Sequence, residues 1–143
     1  MRIKYALKAC DKTYRTTWFV IAVYWGWSVL KDTPYLPWYL GGMAGGDFRN
    51  INLKTIYDEY PPGLISYSFY TFGYHLQDFI EHAFFSERMN DYNEMLLHHI
   101  AAVSLYFAYT MGNMHPLGCV VAFLHDIADI PGSLCKLLNA THF

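Results

Sequence analysis

From Met95 to Leu124 the chain carries no Asp, Glu, Lys or Arg. That run exceeds the roughly 20 apolar residues that carry a helix across a bilayer core. Its pattern divides at the "GNMHP" stretch, predicting a third helix over about Asp91 to Met114 and a fourth over about Pro116 to Leu138. "DYNE" opens the third, with Asp91 as N-cap and Glu94 three positions on. Pro116 suits the first turn of the fourth, and Pro131-Gly132 predicts a bend near its end. Two apolar segments come earlier. "TTWFVIAVYWGWSVL" at 16–30 is short for a span, but its Trp and Tyr residues suit membrane interfaces. The other runs from about Pro62 to Phe85, with Pro61 and Pro62 placed for a helix start. Between them, residues 31–60 form a long connection, with "GGMAGG" at 41–46 expected as a flexible point and a short helix expected near 51–59. The expected organisation is a basic segment at 1–15, a helical membrane region at 16–138 and a short tail at 139–143.

Composition strengthens this reading. Hydrophobic residues make up 54% and aromatics 19%, while the 15% that are charged cluster away from the apolar runs. A soluble protein of this size has too little polar surface to cover such a chain. The fold class is therefore expected to be an all-α integral membrane protein with about four transmembrane helices. Basic residues give an orientation: with both termini on one side, seven of the ten Lys and Arg fall on that side and three on the other. This agrees with the positive-inside tendency and places the termini toward the cytosol or matrix. The net charge of −2 argues against nucleic acid as a partner. The first apolar run lacks a small-residue cleavage site, so it is kept as a span. Cys10, Cys119 and Cys135 are odd in number and show no C-x-x-C spacing, which indicates neither a disulfide framework nor a zinc site.

Ionisable groups at membrane depth cost roughly 2.5–3.5 kcal/mol on insertion scales, so those present are functional candidates. His125 and Asp129 lie four apart on one face of the fourth helix, with Asp126 beside them. His98 and His99 are adjacent on the third and point about 100° apart. His75, Asp78 and His82 make another stripe on the second. Three uses are open: metal binding, acid/base or nucleophilic catalysis by an imidazole that a carboxylate orients, and plain interhelical hydrogen bonding. The H-x-x-H-H and H-x-x-x-x-H boxes of membrane metalloenzymes are absent, so no metal and no bound cofactor are expected. His75 and His82 read as packing residues, and His115 and His142 as loop or terminal ones.

"DYNEMLLHH" followed by "LHDIAD" resembles the signature of the ceramide synthases within the TLC-domain family. The correspondence holds at Asp91, Tyr92, Glu94, Met95, His98, His99, Gly118, His125, Asp126, Asp129 and Lys136 without a gap. "PWYLGG" at 37–42 and the Tyr-rich second helix also look like the family's upstream part, so the likeness covers about residues 37–139. The resemblance implies part of a TLC-type helical barrel, in a truncated or divergent member of the family. It implies transfer of an acyl group from acyl-CoA, as co-substrate, to the amine of a long-chain base, with His98, His99, His125, Asp126 and Asp129 as catalytic residues. Membrane lipids and other membrane subunits are the expected partners. The endoplasmic reticulum is the expected membrane, with the inner mitochondrial membrane as the alternative. Ala102, Pro116, Met89-Asn90 and Ser133 stand where the family usually has Thr, Arg, a basic pair and an acidic residue. These departures support a second reading, a non-catalytic structural or lipid-binding subunit of a larger membrane complex.

Overall fold

The computed structural model describes residues 2–47, 49, 59–85 and 92–141. Four helices account for most of them: α1 (Arg2–Leu30), α2 (Leu64–Phe85), α3 (Tyr92–Met111) and α4 (His115–Thr141). The basic segment and the first apolar stretch thus form one continuous helix. Among the described residues α4, over His115–Leu138, is the one helix long and apolar enough to cross a membrane. The others match the expected spans in position but carry more polar groups: Arg15 at the start of the apolar part of α1, Gln77, Asp78 and Glu81 in α2, and two His and three Tyr in α3. The helix expected near 51–59 lies almost wholly outside the described residues, as does the Asp91 cap.

Adjacent helices run antiparallel. Along α1 and α2, Arg15 meets Asp78, Trp18 stacks on Tyr74, and Trp25 meets Tyr67 edge-on. His82 and Phe72 of α2 face His99 and Tyr106 of α3. His98 and Tyr109 of α3 face His125 and Gly118 of α4. The bundle closes where α4 packs on α1, with Phe123 against Gly26 and Ile130 against the Trp18–Phe19 cluster. The result is an up-down-up-down bundle with the start of α1 and the end of α4 at one end. Its core centres on Leu30, Leu36, Leu64, Tyr67, Tyr106, Cys119 and Phe123.

The connections explain themselves locally. After α3 the chain turns over Gly112–Met114, with the Asn113 N–H on the Thr110 carbonyl (3.2 Å) and the Met114 N–H on the Tyr109 carbonyl (2.8 Å). Asn113 takes a left-handed conformation (φ 52°), which Asn tolerates better than most residues. The tight turn sets α4 directly beside α3. Pro116 lies in the first turn of α4, as expected, and the helix continues through Pro131.

"GGMAGG" is not the flexible joint that its composition suggests. The Met43 N–H bonds to the Lys31 carbonyl (2.6 Å), that of Gly42 to Pro37 (3.1 Å) and that of Asp47 to Pro34 (3.0 Å). A Cβ at Gly42 or Gly46 would collide with the Leu36 carbonyl, and Gly41 ends a 3₁₀ turn at Trp38–Leu40 with φ 86°. These glycines permit close backbone approach in a loop folded over the end of the bundle.

Candidate active site

Five of the chain's seven histidines converge near the end of the bundle that carries the termini. Their rings form a continuous series. His82 lies 5.2 Å from His99, His99 lies 5.6 Å from His98, His98 stacks on His125 at 5.1 Å and 20°, and His125 meets His75 edge-on at 5.1 Å. A buried or half-buried carboxylate accompanies each part of the series. Asp126, with 0% exposure, accepts a hydrogen bond from His75 Nε2 at 3.2 Å. Asp129 Oδ2 lies 3.4 Å from His125 Nδ1. Asp78 Oδ2 lies 3.6 Å from His99 Nε2.

The helices place these groups by simple periodicity. In α4, the i, i+4 spacing of His125 and Asp129 brings the two together, as expected. Asp126, one residue further round, points inward to α2 and meets His75 instead. In α3 the 100° between neighbouring residues sends the two imidazoles to different surroundings. His99 is buried against α2, facing Asp78 and His82, while His98 is exposed and stacks on α4. One His therefore faces the bundle interior and the other its rim.

All five expected site residues, His98, His99, His125, Asp126 and Asp129, join one cluster. The structure also brings His75, Asp78 and His82 against the same cluster. His75 is buried between Asp126, His125, Tyr106 and Trp18. His82 donates from Nε2 to the Tyr92 carbonyl (3.2 Å) and stacks on the Tyr92 ring. The i, i+3, i+7 stripe of His75, Asp78 and His82 was the available signal. Arg15 was not legible as a site neighbour. It reaches from α1 to pair with Asp78, and also contacts Asp11 (3.1 Å) and Glu81 (3.4 Å). These carboxylates hold its guanidinium charged, well above an already high ordinary pKa, although burial opposes this.

His115 departs from the loop role expected for it. It is the first residue of α4, buried, and shares a 3.1 Å hydrogen bond with Ser68. The short α3–α4 turn leaves it inside the bundle. The hydroxyls of Tyr67, Tyr106 and Tyr109 are buried in the same interior, and neither they nor Asp126 Oδ2 meets strict hydrogen-bond geometry with a partner among the described residues. The bundle thus keeps a polar interior behind its imidazole series.

Converging imidazoles and carboxylates among packed helices define the class: an all-helical protein with a polar cluster between largely apolar helices. The TLC-domain family profile matches residues 8–142, and the chain belongs to that family. It is similar to ceramide synthase 4 of Mus musculus, with 28% identity over 142 residues, covering 95% of this chain and 32% of that protein. Ceramide synthase 4 of Homo sapiens is 29% identical over 133 residues, covering 92% of this chain and 31% of that protein. The chain therefore spans about a third of the length of these curated relatives. No solved structure gives a significant match.

Proposed function

We propose that the chain acts in ceramide-synthase-like lipid chemistry, as the part of an N-acyltransferase that carries the reacting imidazoles. The reaction is transfer of an acyl group from acyl-CoA to the amine of a long-chain base. Membership of the TLC family and likeness to ceramide synthase 4 support a lipid-related role. The observation that carries the finer reading is the meeting of the two halves of the motif: the double His of α3 against the His-Asp-x-x-Asp of α4, with His98 stacked on His125.

The chemistry needs what these residues supply. The amine nitrogen attacks the thioester carbonyl, a C–N bond forms, the C–S bond breaks, and the amine proton ends on the departing thiolate. An imidazole that is neutral on one nitrogen can take that proton and hand it on, or can carry the acyl group between the two partners. A carboxylate beside the ring fixes its tautomer and steadies the positive charge as it forms. His99 with Asp78, and His125 with Asp129, have this arrangement. The apolar helix surfaces around the site suit two substrates with long hydrocarbon chains, and membrane lipids and acyl-CoA are the partners that this reading requires.

Full-length protein, purified in detergent and supplied with acyl-CoA and a long-chain base, should form the amide. His98→Ala and His99→Ala should each lower the rate by about 10²-fold or more, the usual share of a positioned acid/base group. Full activity in both variants would overturn the assignment. So would the absence of product from wild-type protein that is folded and supplied with both substrates.

A further inference from the structure

The loop over residues 31–47 has two sides. Its inner residues Tyr35 and Leu36 are buried in the core cluster that also holds Leu64 and Cys119. Its outer residues Trp38 and Tyr39 are 78% and 62% exposed, with their rings 6.0 Å apart and edge to face. Large aromatic rings side by side at a surface mark a place where something apolar docks. The exposure does not come from a loose chain. The Gly42 and Asp47 N–H groups bond to the Pro37 and Pro34 carbonyls, and Pro37 pairs with Gly46. The Trp27 indole N–H of α1 donates to the Gly41 carbonyl (3.2 Å). The backbone thus presents both rings already ordered, which lowers the entropy cost of docking them.

The level of the loop along the bundle says what it meets. Cys119, in the cluster that takes the underside of the loop, lies one turn into α4, and the apolar membrane-crossing stretch of α4 begins at His115. The Tyr60 hydroxyl donates to the Asn113 carbonyl in the turn just before it (2.8 Å). The loop therefore stands where an apolar span gives way to water. The last turns of α1 reach the same level, with Tyr24 exposed and the Lys31 ammonium 5.0 Å over the Trp27 ring. Trp and Tyr with a snorkelling Lys are the residues that settle at the headgroup level of a bilayer. Charge narrows the surface further. Lys31 and Arg49 balance Asp32 and Asp47, so the loop has no net charge with which to select anionic lipid.

We propose that Trp38 and Tyr39 dock into the headgroup layer of a bilayer, without preference for anionic lipid, and fix the depth of this end of the bundle. The glycines at 42 and 46 serve this role by letting the loop lie close against the Leu36 backbone, so that the two rings keep one orientation. The inference goes beyond the proposed acyl transfer and stands independently of it.

Full-length protein reconstituted in phosphatidylcholine vesicles tests this, with the Trp38 share of the fluorescence taken as wild type minus Trp38→Phe. That substitution trims a largely exposed ring and should leave the fold intact. Lipid brominated near the top of its acyl chains should quench this share at least about twofold more than lipid brominated near the chain ends. Aqueous iodide should quench it less than it quenches free tryptophan, and added phosphatidylserine should leave the pattern unchanged. Iodide quenching equal to that of free tryptophan would overturn the proposal by placing the ring in water. Quenching by neither agent would do the same, because another subunit or a second copy of the chain would then cover the ring. Stronger quenching by the deep bromines, or quenching that requires phosphatidylserine, would also overturn it. None of these readings depends on amide formation, so failure of the anchor and failure of the transfer reading are separately visible.

Discussion

Asp78 stands between two partners from different helices. One carboxylate oxygen pairs with Arg15 of α1, and the other faces His99 of α3. Besides Asp78, Arg15 has Asp11 at 3.1 Å and the more exposed Glu81 at 3.4 Å. Removing one member of a buried ion pair leaves the other charge without compensation, which typically costs 3–5 kcal/mol. Asp78→Asn should therefore lower stability by about 3 kcal/mol, read as a fall in unfolding midpoint in detergent. The value sits at the low end because Asp11 still neutralises part of Arg15. The double variant Arg15→Gln with Asp78→Asn should regain part of that loss, because no charge is then left alone. If the double variant were as unstable as the sum of its singles, the pair would not be the coupled unit described. Asp11 itself is held below the ordinary carboxylate range: burial pushes it up, but Lys12 and Arg15 outweigh this.

At the scale of helices, contact depends on small residues where large rings must fit. A Cβ at Gly118 would run into the ring of Tyr109, and one at Gly26 would strike Tyr67 and Phe123. Small residues allow such close approach in membrane helix pairs. Gly118→Val should destabilise the α3–α4 contact by about 1–3 kcal/mol through overpacking. Gly132→Ala, where no neighbour lies within 4 Å, should be neutral or slightly stabilising through helix propensity. Comparison of the two unfolding midpoints checks this, and equal effects would contradict the close approach. The helices themselves were legible, because long apolar runs and Pro-marked starts place them within a few residues. The basic residues 2–15 did not read as part of α1, since their composition changes while the backbone helix does not. The 41–46 loop also misled: its glycines signal freedom in isolation, whereas here Gly42 and Gly46 answer a crowded backbone.

For the molecule as a whole, antiparallel neighbours place the start of α1 and the end of α4 at one end, and the end of α1 and the start of α2 at the other. A membrane-impermeant thiol reagent added to sealed vesicles should label Cys10 and an introduced Ala44→Cys from opposite faces; both positions are exposed. Labelling of both from the same face would exclude the up-and-down arrangement across a bilayer. Much of the site was visible from one chain because its two motif halves lie on consecutive helices. What could not be read was the pairing between helices. No spacing rule brings His75 to Asp126, fifty-one positions later, or Arg15 to Asp78, sixty-three positions later. Those meetings follow from bundle packing, which sequence periodicity constrains only by face.

His98 lies on the exposed side of α3, at the margin of the imidazole series and not at its centre. Its flanking α3 residues Leu97 and Ile100 are exposed and apolar. If transfer occurs there, the fatty tail of the acyl donor extends outward along this flank and not down the middle of the bundle. These four helices would then hold the reacting head group without measuring the tail. Any preference for chain length would be set by whatever lies against the flank, so two proteins sharing this bundle could make different products.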